Sequence, residues 1–188
     1  MIRAMTAAGL LALAGCGAER VVASADEVPK LLWAHHPEAE DWTEATLAAL
    51  RGHGAVLPAT EPANIDAWCP AYEDAAVEER EAFWAGLLSA LAHHESTHRP
   101  DAVGGGGRWF GLVQIAPATA DGHGCRATSG DALKDGEANL SCAVRILAAK
   151  AEEDLPVRRI AADWGPFHSS DKREAMRAWV SEQPFCRA

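Results

Sequence analysis

Apolar residues recur at helical spacing in a stretch that begins near Ala76. In the sequence VEEREAFWAGLLSALAHHE, one stripe of the helix carries Val77, Trp84, Leu87, Leu88 and Leu91. Charged residues fill the first turn. Because Pro100 disfavours helical backbone at Arg99, the pattern predicts a helix that ends close to Glu95.

Glu95 occupies an unusual place in this pattern. It follows Leu91 by four residues and Leu88 by seven, so it emerges on the apolar face of the predicted helix. A carboxylate on that face is partly desolvated, which raises its pKa and lets it stay protonated near neutral pH. Glu95 is therefore our candidate for general acid and base chemistry.

Four further segments have helical spacing, at 38–50, 137–150, 157–164 and from Asp171 onward. Residues 171–174 resemble a capping box, and the helix after them is predicted to bury Ala175 and Trp179. The candidate strand is short, at 111–115, and 121–135 is predicted to be a loop. The pattern predicts a mainly α fold with at most a minimal strand element.

Length and charge limit the function classes. A chain of 188 residues suits one compact domain plus a tether. It carries 17 basic and 27 acidic residues, and loss of Arg3 with a leader would bring the net charge to −11. Such acidity argues against a nucleic-acid partner. Attraction of an anionic glycan would have to be local, from Arg99, Arg108 or Arg145.

The first fifteen residues have a short positive start and a short apolar run, which is typical of a secretion signal. Their end, Leu-Ala-Gly before Cys16, resembles the lipobox of bacterial lipoproteins, in which this cysteine is diacylated and anchors the protein to a membrane. Residues 16–37 would then be a lipidated tether. Gly17 is not the Asp that retains many lipoproteins in the inner membrane, so the resemblance favours the periplasmic face of the outer membrane. The alternative is a plain signal peptide.

Five cysteines become four once Cys16 is lipidated, an even number in an exported protein. Of the three pairings that four cysteines allow, we favour Cys125 with Cys142 and Cys69 with Cys186. The first would join the 121–135 loop to the next helix, and the second would join an N-terminal extension to the C-terminus. No CxxC pair exists, which argues against a four-cysteine zinc site.

Two motifs resemble a known family. ESTHRPDA, from Glu95, resembles E-S-x-F-x-P-x-A, and GLVQIAPATA, from Gly111, resembles G-L-M-Q-I-x-P-x-T-A of the soluble lytic transglycosylase domains that cleave peptidoglycan. Between them lie four glycines at 104–107 and Trp109, whose flat apolar ring is a surface on which sugars stack. The resemblance continues more weakly to about residue 165 and includes Asn139.

The resemblance implies a lysozyme-like helical domain, of the goose-type lysozyme and soluble lytic transglycosylase kind, over 77–188. Residues 38–76 would form a helical N-terminal extension. It further implies that Glu95 cleaves the MurNAc–GlcNAc bond to give 1,6-anhydroMurNAc ends, that Ser96 supports hydrogen bonding at the helix end, and that Gly111 and Gln114 line the cleft. For Gln114 the alternative is packing of the motif loop against Glu95. The enzyme would be a monomer that needs no cofactor or metal and acts on glycan strands.

The sequence departs from the family in three places. The stretch from Glu95 to Gly111 is one residue longer, and Gly104 stands near a serine of the family. The A-A-Y-N-A-G-P motif is reduced to A-A-D-W-G-P, which lacks the tyrosine. Our hypothesis is that Asp163 or Trp164 takes its place. If Asp163 faces Glu95, it could position water and favour lysozyme-type hydrolysis, which requires a second carboxylate.

A rival motif overlaps the same residues. His94 to His98 form H-E-x-x-H, which on a continuous helix would place two imidazoles for the zinc of a metallopeptidase. Pro100 argues against such a helix, and His123 or Glu137 would have to supply a third ligand. Otherwise His93, His94 and His98 are predicted to lie at the cleft edge or on the surface. A non-catalytic peptidoglycan-binding module is the third alternative.

Overall fold

The computed structural model describes residues 29–151 and 155–187. This part of the chain is mainly helical, as predicted, and short 3-10 turns link several of the helices. The helices are α1 (Ala39–Arg51), α2 (Val56–Ala59), α3 (Val77–Ser96), α4 (Pro117–Gly122), α5 (Gly136–Ala148), α6 (Val157–Ile160) and α7 (Ser170–Ser181). No helix in this part of the chain is long and apolar enough to cross a membrane.

The sheet is a single hairpin between α3 and α4. Strand β1 (Val103–Gly104) pairs antiparallel with β2 (Trp109–Phe110), and the glycine-rich segment forms the connection. The prediction of a strand over 111–115 is wrong, although Ile115 forms one bridge with Phe110. Gly111 and Gln114 both have positive φ, 81° and 52°, so the backbone turns there instead of extending.

Helix α3 is the centre of the domain. Residues 81–92 are buried on every face, because α1, α2 and α7 all pack against this helix. The predicted stripe was therefore too narrow, and its first member, Val77, is 52% exposed. The Glu79 carboxylate accepts a hydrogen bond from the Ala76 N–H at 3.0 Å and satisfies a free donor where the helix begins.

The segment before α3 shares the hydrophobic core with the rest of the domain. Helix α1 packs against α5 and α3, and Trp33 and Trp42 are almost fully buried. The Trp33 indole N–H donates to the Thr43 hydroxyl at 2.9 Å. The Trp33 backbone N–H donates to the Ser89 hydroxyl at 3.0 Å, which brings the N-terminal segment beside the C-terminal half of α3.

Both predicted disulfides are present. Cys69 is bonded to Cys186 with a Cα–Cα distance of 4.5 Å, and Cys125 is bonded to Cys142 with 5.3 Å. A disulfide of this kind typically stabilises a domain by about 2–4 kcal/mol. Cys16 lies outside the described residues.

The last helix differs from its prediction. The N-cap of α7 is Ser169, whose hydroxyl accepts a hydrogen bond from the Lys172 N–H at 3.4 Å, so the predicted capping box at Asp171 is wrong. This start of the helix turns Met176 and Val180 into the core, while Ala175 is exposed and Trp179 is half-buried. Helix α6 also ends earlier than predicted, at Ile160.

Candidate active site

Glu95 lies in the last turn of α3, as the sequence predicts, and is half-buried. The helix ends because Thr97 adopts the left-handed conformation, with φ 53° and ψ 43°. Its N–H still reaches the His93 carbonyl at 3.1 Å. The Glu95 carboxyl is thus carried by a rigid, buried helix up to the point where the chain turns away.

Burial raises the pKa of Glu95 above its ordinary value, as predicted. The positive charge of Lys172, in the first turn of α7, partly opposes this shift. Because desolvation is the larger effect, the carboxyl stays protonated to a higher pH than an exposed glutamate does. This is the protonation state that a general acid requires before it acts.

Ser96 belongs to the turn after Glu95. It is 3% exposed, and its hydroxyl donates to the Ala92 carbonyl at 3.2 Å and accepts from the Arg99 N–H at 3.2 Å. Its hydroxyl therefore bridges the helix and the following turn, which is the supporting role that the family resemblance implies.

A cleft of about 110 Å³ contains four of the residues predicted to bind substrate. It is lined by Trp109, Gln114, Ile115, Ala116, Thr119, Ile146, Asp163 and Trp164. Glu95 and Gly111 are not among these lining residues. Thr119 belongs to the second family motif, whereas the helical spacing of Ile146 indicated burial and nothing about a cleft.

Gln114 holds the loop that forms one side of the cleft. Its side-chain amide donates to the Gly111 carbonyl at 2.9 Å and to the Ala102 carbonyl at 3.2 Å. The Oε1 atom of Gln114 lies so close to Gly104 that a Cβ at position 104 would collide with it. A side chain at position 104, where the family has a serine nearby, would therefore require the Gln114 side chain to move.

Gly111 packs against Asn139, a residue that the sequence assigned no role. A Cβ at Gly111 would collide with the Leu133 carbonyl and the Asn139 amide. Asn139 is fully buried, donates to the Phe110 and Leu133 carbonyls at 3.0 and 2.9 Å, and accepts from the Val113 N–H at 3.0 Å. Because Gly111 has no side chain, the cleft loop packs directly on Asn139.

Trp109 forms an exposed wall of the cleft. Its ring is 41% exposed, and the Arg108 guanidinium carbon lies 4.7 Å from the ring centroid. The Arg108 Nε–H donates to the Gly105 carbonyl at 2.9 Å, and a Cβ at Gly105 would collide with the Trp109 ring. The glycine-rich hairpin thus fixes the orientation of Trp109 and keeps one arginine beside it.

The two candidates for the missing tyrosine occupy different environments. Trp164 is 4% exposed, and its indole N–H donates to the Val113 carbonyl at 2.8 Å, so it is both a core residue and part of the cleft floor. The Asp163 side chain is 37% exposed, and its Oδ2 lies 2.5 Å from the Lys150 Nζ. Asp163 therefore forms an ion pair with Lys150.

Residues 75–158 match the family model of the transglycosylase SLT domain. The chain contains a transglycosylase SLT domain. The match covers α3 with Glu95, the hairpin and α5, and ends before Asp163 and Trp164. Among curated proteins, no sequence matches the chain.

Solved structures confirm the lysozyme-like fold predicted for the SLT domain. The structure titled Bd0314 DslA wild-type form 2 has a TM-score of 0.72 and 23% sequence identity, over 86% of this chain and 100% of that chain. A glutamate-to-glutamine mutant of the same protein has a TM-score of 0.71 and 24% identity, over 84% of this chain and 97% of that chain. At this identity the likeness concerns the fold.

The H-E-x-x-H motif does not form zinc-site geometry in this SLT domain. The helix ends at Ser96, and His98 has a positive φ of 58° and does not continue it. The His98 ring is 2% exposed, with Nε2 3.0 Å from the Ser89 carbonyl oxygen. The prediction that His98 lies at the cleft edge or surface is therefore wrong. His93 lies on the surface, and His94 is half-buried. Burial lowers the pKa of His94, and His93 and Lys172 lower it further.

Proposed function

We propose that the SLT domain is a peptidoglycan lytic transglycosylase that cleaves the β-1,4 bond between MurNAc and GlcNAc. The observation that carries this proposal is the half-buried Glu95 carboxyl at the end of α3, whose pKa is raised by burial. It lies in the first of two motifs that resemble the family. A carboxyl whose pKa is raised stays protonated to higher pH, which suits protonation of a glycosidic oxygen.

In the first step, protonated Glu95 gives its proton to the glycosidic oxygen while the bond from that oxygen to C1 of MurNAc breaks. The GlcNAc fragment leaves with a free 4-hydroxyl. In the second step, the Glu95 carboxylate takes the proton of the MurNAc 6-hydroxyl while O6 bonds to C1. The product is 1,6-anhydroMurNAc, Glu95 is protonated again, and no water is consumed.

The cleft supplies binding surfaces for the glycan in this proposal. Trp109 offers an exposed ring face that is held in place by the glycine-rich hairpin. Thr119 and the Asp163–Lys150 ion pair offer polar groups to sugar hydroxyls. In an acidic protein, Arg108 beside Trp109 is also a local positive charge for an anionic strand.

Lysozyme-type hydrolysis of the same bond is the second candidate, and the observation that favours it is the Asp163 carboxylate in the cleft. A hydrolase uses one carboxyl group as acid and another as nucleophile or as base for water. The two mechanisms leave different ends on the MurNAc residue, so products distinguish them directly.

We further propose that the protein is a lipoprotein anchored through Cys16 on the periplasmic face of the outer membrane. The support is the Leu-Ala-Gly-Cys sequence after a short apolar run, followed by Gly17. Metabolic labelling with a palmitate analogue should mark the wild-type protein and leave a Cys16→Ala variant unlabelled. Label on the variant would rule out this site.

The proposed activity is tested by mass spectrometry of the soluble products released from peptidoglycan sacculi by residues 17–188. We expect the wild type to produce anhydro-MurNAc ends and the Glu95→Gln variant to produce none. Reducing MurNAc ends would establish the hydrolase instead. Binding to sacculi without cleavage beyond that of Glu95→Gln would indicate a binding module, and chelator-sensitive peptide cleavage would indicate a zinc peptidase.

A further inference from the structure

The turn that ends α3 contains two consecutive left-handed residues that are not glycine. Thr97 has φ 53° and His98 has φ 58°. Residues with a Cβ adopt this conformation at an energetic cost, so such a turn persists only where the surrounding structure holds it. Glu95 lies two residues before this strained turn, and the forces that hold the turn also fix the end of the helix.

The side chain of His98 provides an anchor for the turn. Its ring is 2% exposed, and its Nε2 lies 3.0 Å from the carbonyl oxygen of Ser89, two turns earlier on α3. Because a carbonyl only accepts hydrogen bonds, Nε2 must carry the proton. The backbone N–H of His98 also reaches the Ala92 carbonyl at 3.4 Å, so the chain folds back along its own helix.

Other aromatic rings enclose the His98 ring. Ring centroids lie 5.2 Å away for His35, 5.5 Å for His93 and 6.4 Å for Trp33. His36 stacks on Trp42 at 4.2 Å in the same N-terminal segment. This histidine cluster, formed by His35, His36, His93 and His98, joins the segment before α1 to the end of the helix that carries Glu95.

We propose that neutral His98 is a positioning residue for Glu95, and that protonation of His98 releases the turn that it anchors. The inference rests on the proposed function for its activity readout. His98 acts through the turn that it anchors, and the buried site of its ring makes this anchor sensitive to acid.

The charges around His98 support an acid-sensitive anchor. Burial lowers the pKa of His98, and His93 on α3 with His35 and His36 before α1 lower it further, while the hydrogen bond with the Ser89 carbonyl opposes the shift. The His36 Nδ1 atom also lies 3.8 Å from the Glu38 carboxylate. Protonation of His98 would therefore place a charge at a buried site beside the rings of His35 and His93.

The direction of the pH effect follows from linkage. His98 has a lower pKa in the folded protein than its ordinary value of about 6.5 in the unfolded chain. Below that pH the unfolded state binds more protons, so the anchor is fully effective above about pH 6.5 and weakens as the pH falls. Glu95 does not produce this acid limb, because its resting form in the proposed mechanism is already protonated.

His98→Phe tests the proposal, because phenylalanine retains a buried ring that cannot be protonated. We expect the acid limb of glycan cleavage to move to lower pH, so that at pH 5 the variant keeps at least about three times the fraction of its pH 7.5 activity that the wild type keeps. His98→Ala should lower kcat at all pH values, and His98→Phe should restore most of it. His53→Phe is the matched control, since His53 also has a ring nitrogen 3.0 Å from a carbonyl, that of Ser141, but is exposed.

An acid limb that is the same in His98→Phe and wild type would overturn the proposal, as would a folded His98→Ala variant with normal kcat. Thermal unfolding at pH 5 and pH 7.5 gives a readout that does not depend on catalysis. The wild type should lose more stability on acidification than His98→Phe does. If the wild type cleaves no glycan, the proposed function fails, and this stability difference still decides whether His98 is the acid-sensitive anchor.

Discussion

The Asp163 carboxylate lies 2.5 Å from the Lys150 ammonium, at the side of the cleft that also contains Trp164. Both side chains are about one-third exposed, at 37% and 33%. An ion pair of this exposure contributes on the order of 0.2–1 kcal/mol to stability, so Asp163 has a modest structural role. It also lines the cleft, so its substitution tests whether a second carboxylate takes part in cleavage.

Replacing Asp163 by Asn separates the two glycan-cleaving mechanisms. If the enzyme is a transglycosylase, the variant should still make anhydro-MurNAc ends, with a rate reduced several-fold because the ion pair that organises this side of the cleft is lost. Lys150→Met, which removes the same pair and leaves the carboxylate, is the matched control. A wild type that makes reducing ends and a variant shifted toward anhydro ends would show that Asp163 positions water.

Glu95→Gln should abolish cleavage and stabilise the fold. The rate should fall at least about 100-fold, as expected for loss of a general acid. Because burial raises the pKa of Glu95 in the folded protein, ionisation of Glu95 destabilises the fold. The destabilisation is complete at pH values above the pKa of the folded protein and absent at pH values below the ordinary pKa of glutamate. The variant should be more stable than the wild type at pH 8 and of similar stability at pH 4, measured by denaturant unfolding. An equal gain at both pH values would contradict the desolvation of Glu95.

Lys172 sets how far the pKa of Glu95 rises. Its charge lowers the pKa of both Glu95 and His94, against the larger effect of burial on Glu95. In Lys172→Gln the pKa of Glu95 should therefore rise further, and the alkaline limb of the pH–rate profile should move to higher pH. Lys172→Arg retains the charge and should keep the wild-type profile. The idea fails if both variants have the same alkaline limb.

Trp109 should contribute mainly to substrate binding. Trp109→Ala removes the exposed ring beside the cleft, and we expect KM to rise about five- to thirtyfold, equivalent to about 1–2 kcal/mol, with a smaller change in kcat. Trp109→Phe keeps a stacking surface and should recover most of the affinity. Thermal unfolding is the control, because the ring is 41% exposed and its loss should have little effect on stability. A fall in kcat alone would argue against a stacking role.

The sequence predicted what depends on local periodicity and on motifs. The position of Glu95 followed from its spacing after Leu88 and Leu91 and from Pro100. The four cysteines other than Cys16 allowed three pairings, and the favoured one is present. The environment of His98 could not be predicted in this way. Its neighbours in the sequence are polar, and it is buried because Trp33 and His35, more than sixty residues away, pack against it.

Asn139 and the Asp163–Lys150 pair show the same limit. Asn139 lies among apolar residues of α5, and nothing local indicates that its amide bonds the Phe110 and Leu133 carbonyls. Lys150 follows α5 and Asp163 follows α6, so their ion pair joins the ends of two different helices. Such contacts depend on the packing of one helix or loop against another, which helical periodicity in the sequence does not predict.

Gly111 tests whether the cleft loop depends on its contact with Asn139. It has φ 81°, and a Cβ there would collide with the Leu133 carbonyl and the Asn139 amide, so Gly111→Ala combines backbone strain with a clash in the core. We expect a loss of about 2–4 kcal/mol in the free energy of unfolding, together with reduced glycan cleavage because Gln114 is displaced. Gly106→Ala is the matched control: its φ is also positive, at 68°, but no atom lies within 4 Å of the added Cβ. It should lose only the strain of about 1–2 kcal/mol. Equal destabilisation of the two variants would mean that the backbone conformation, and not packing on Asn139, requires glycine at position 111.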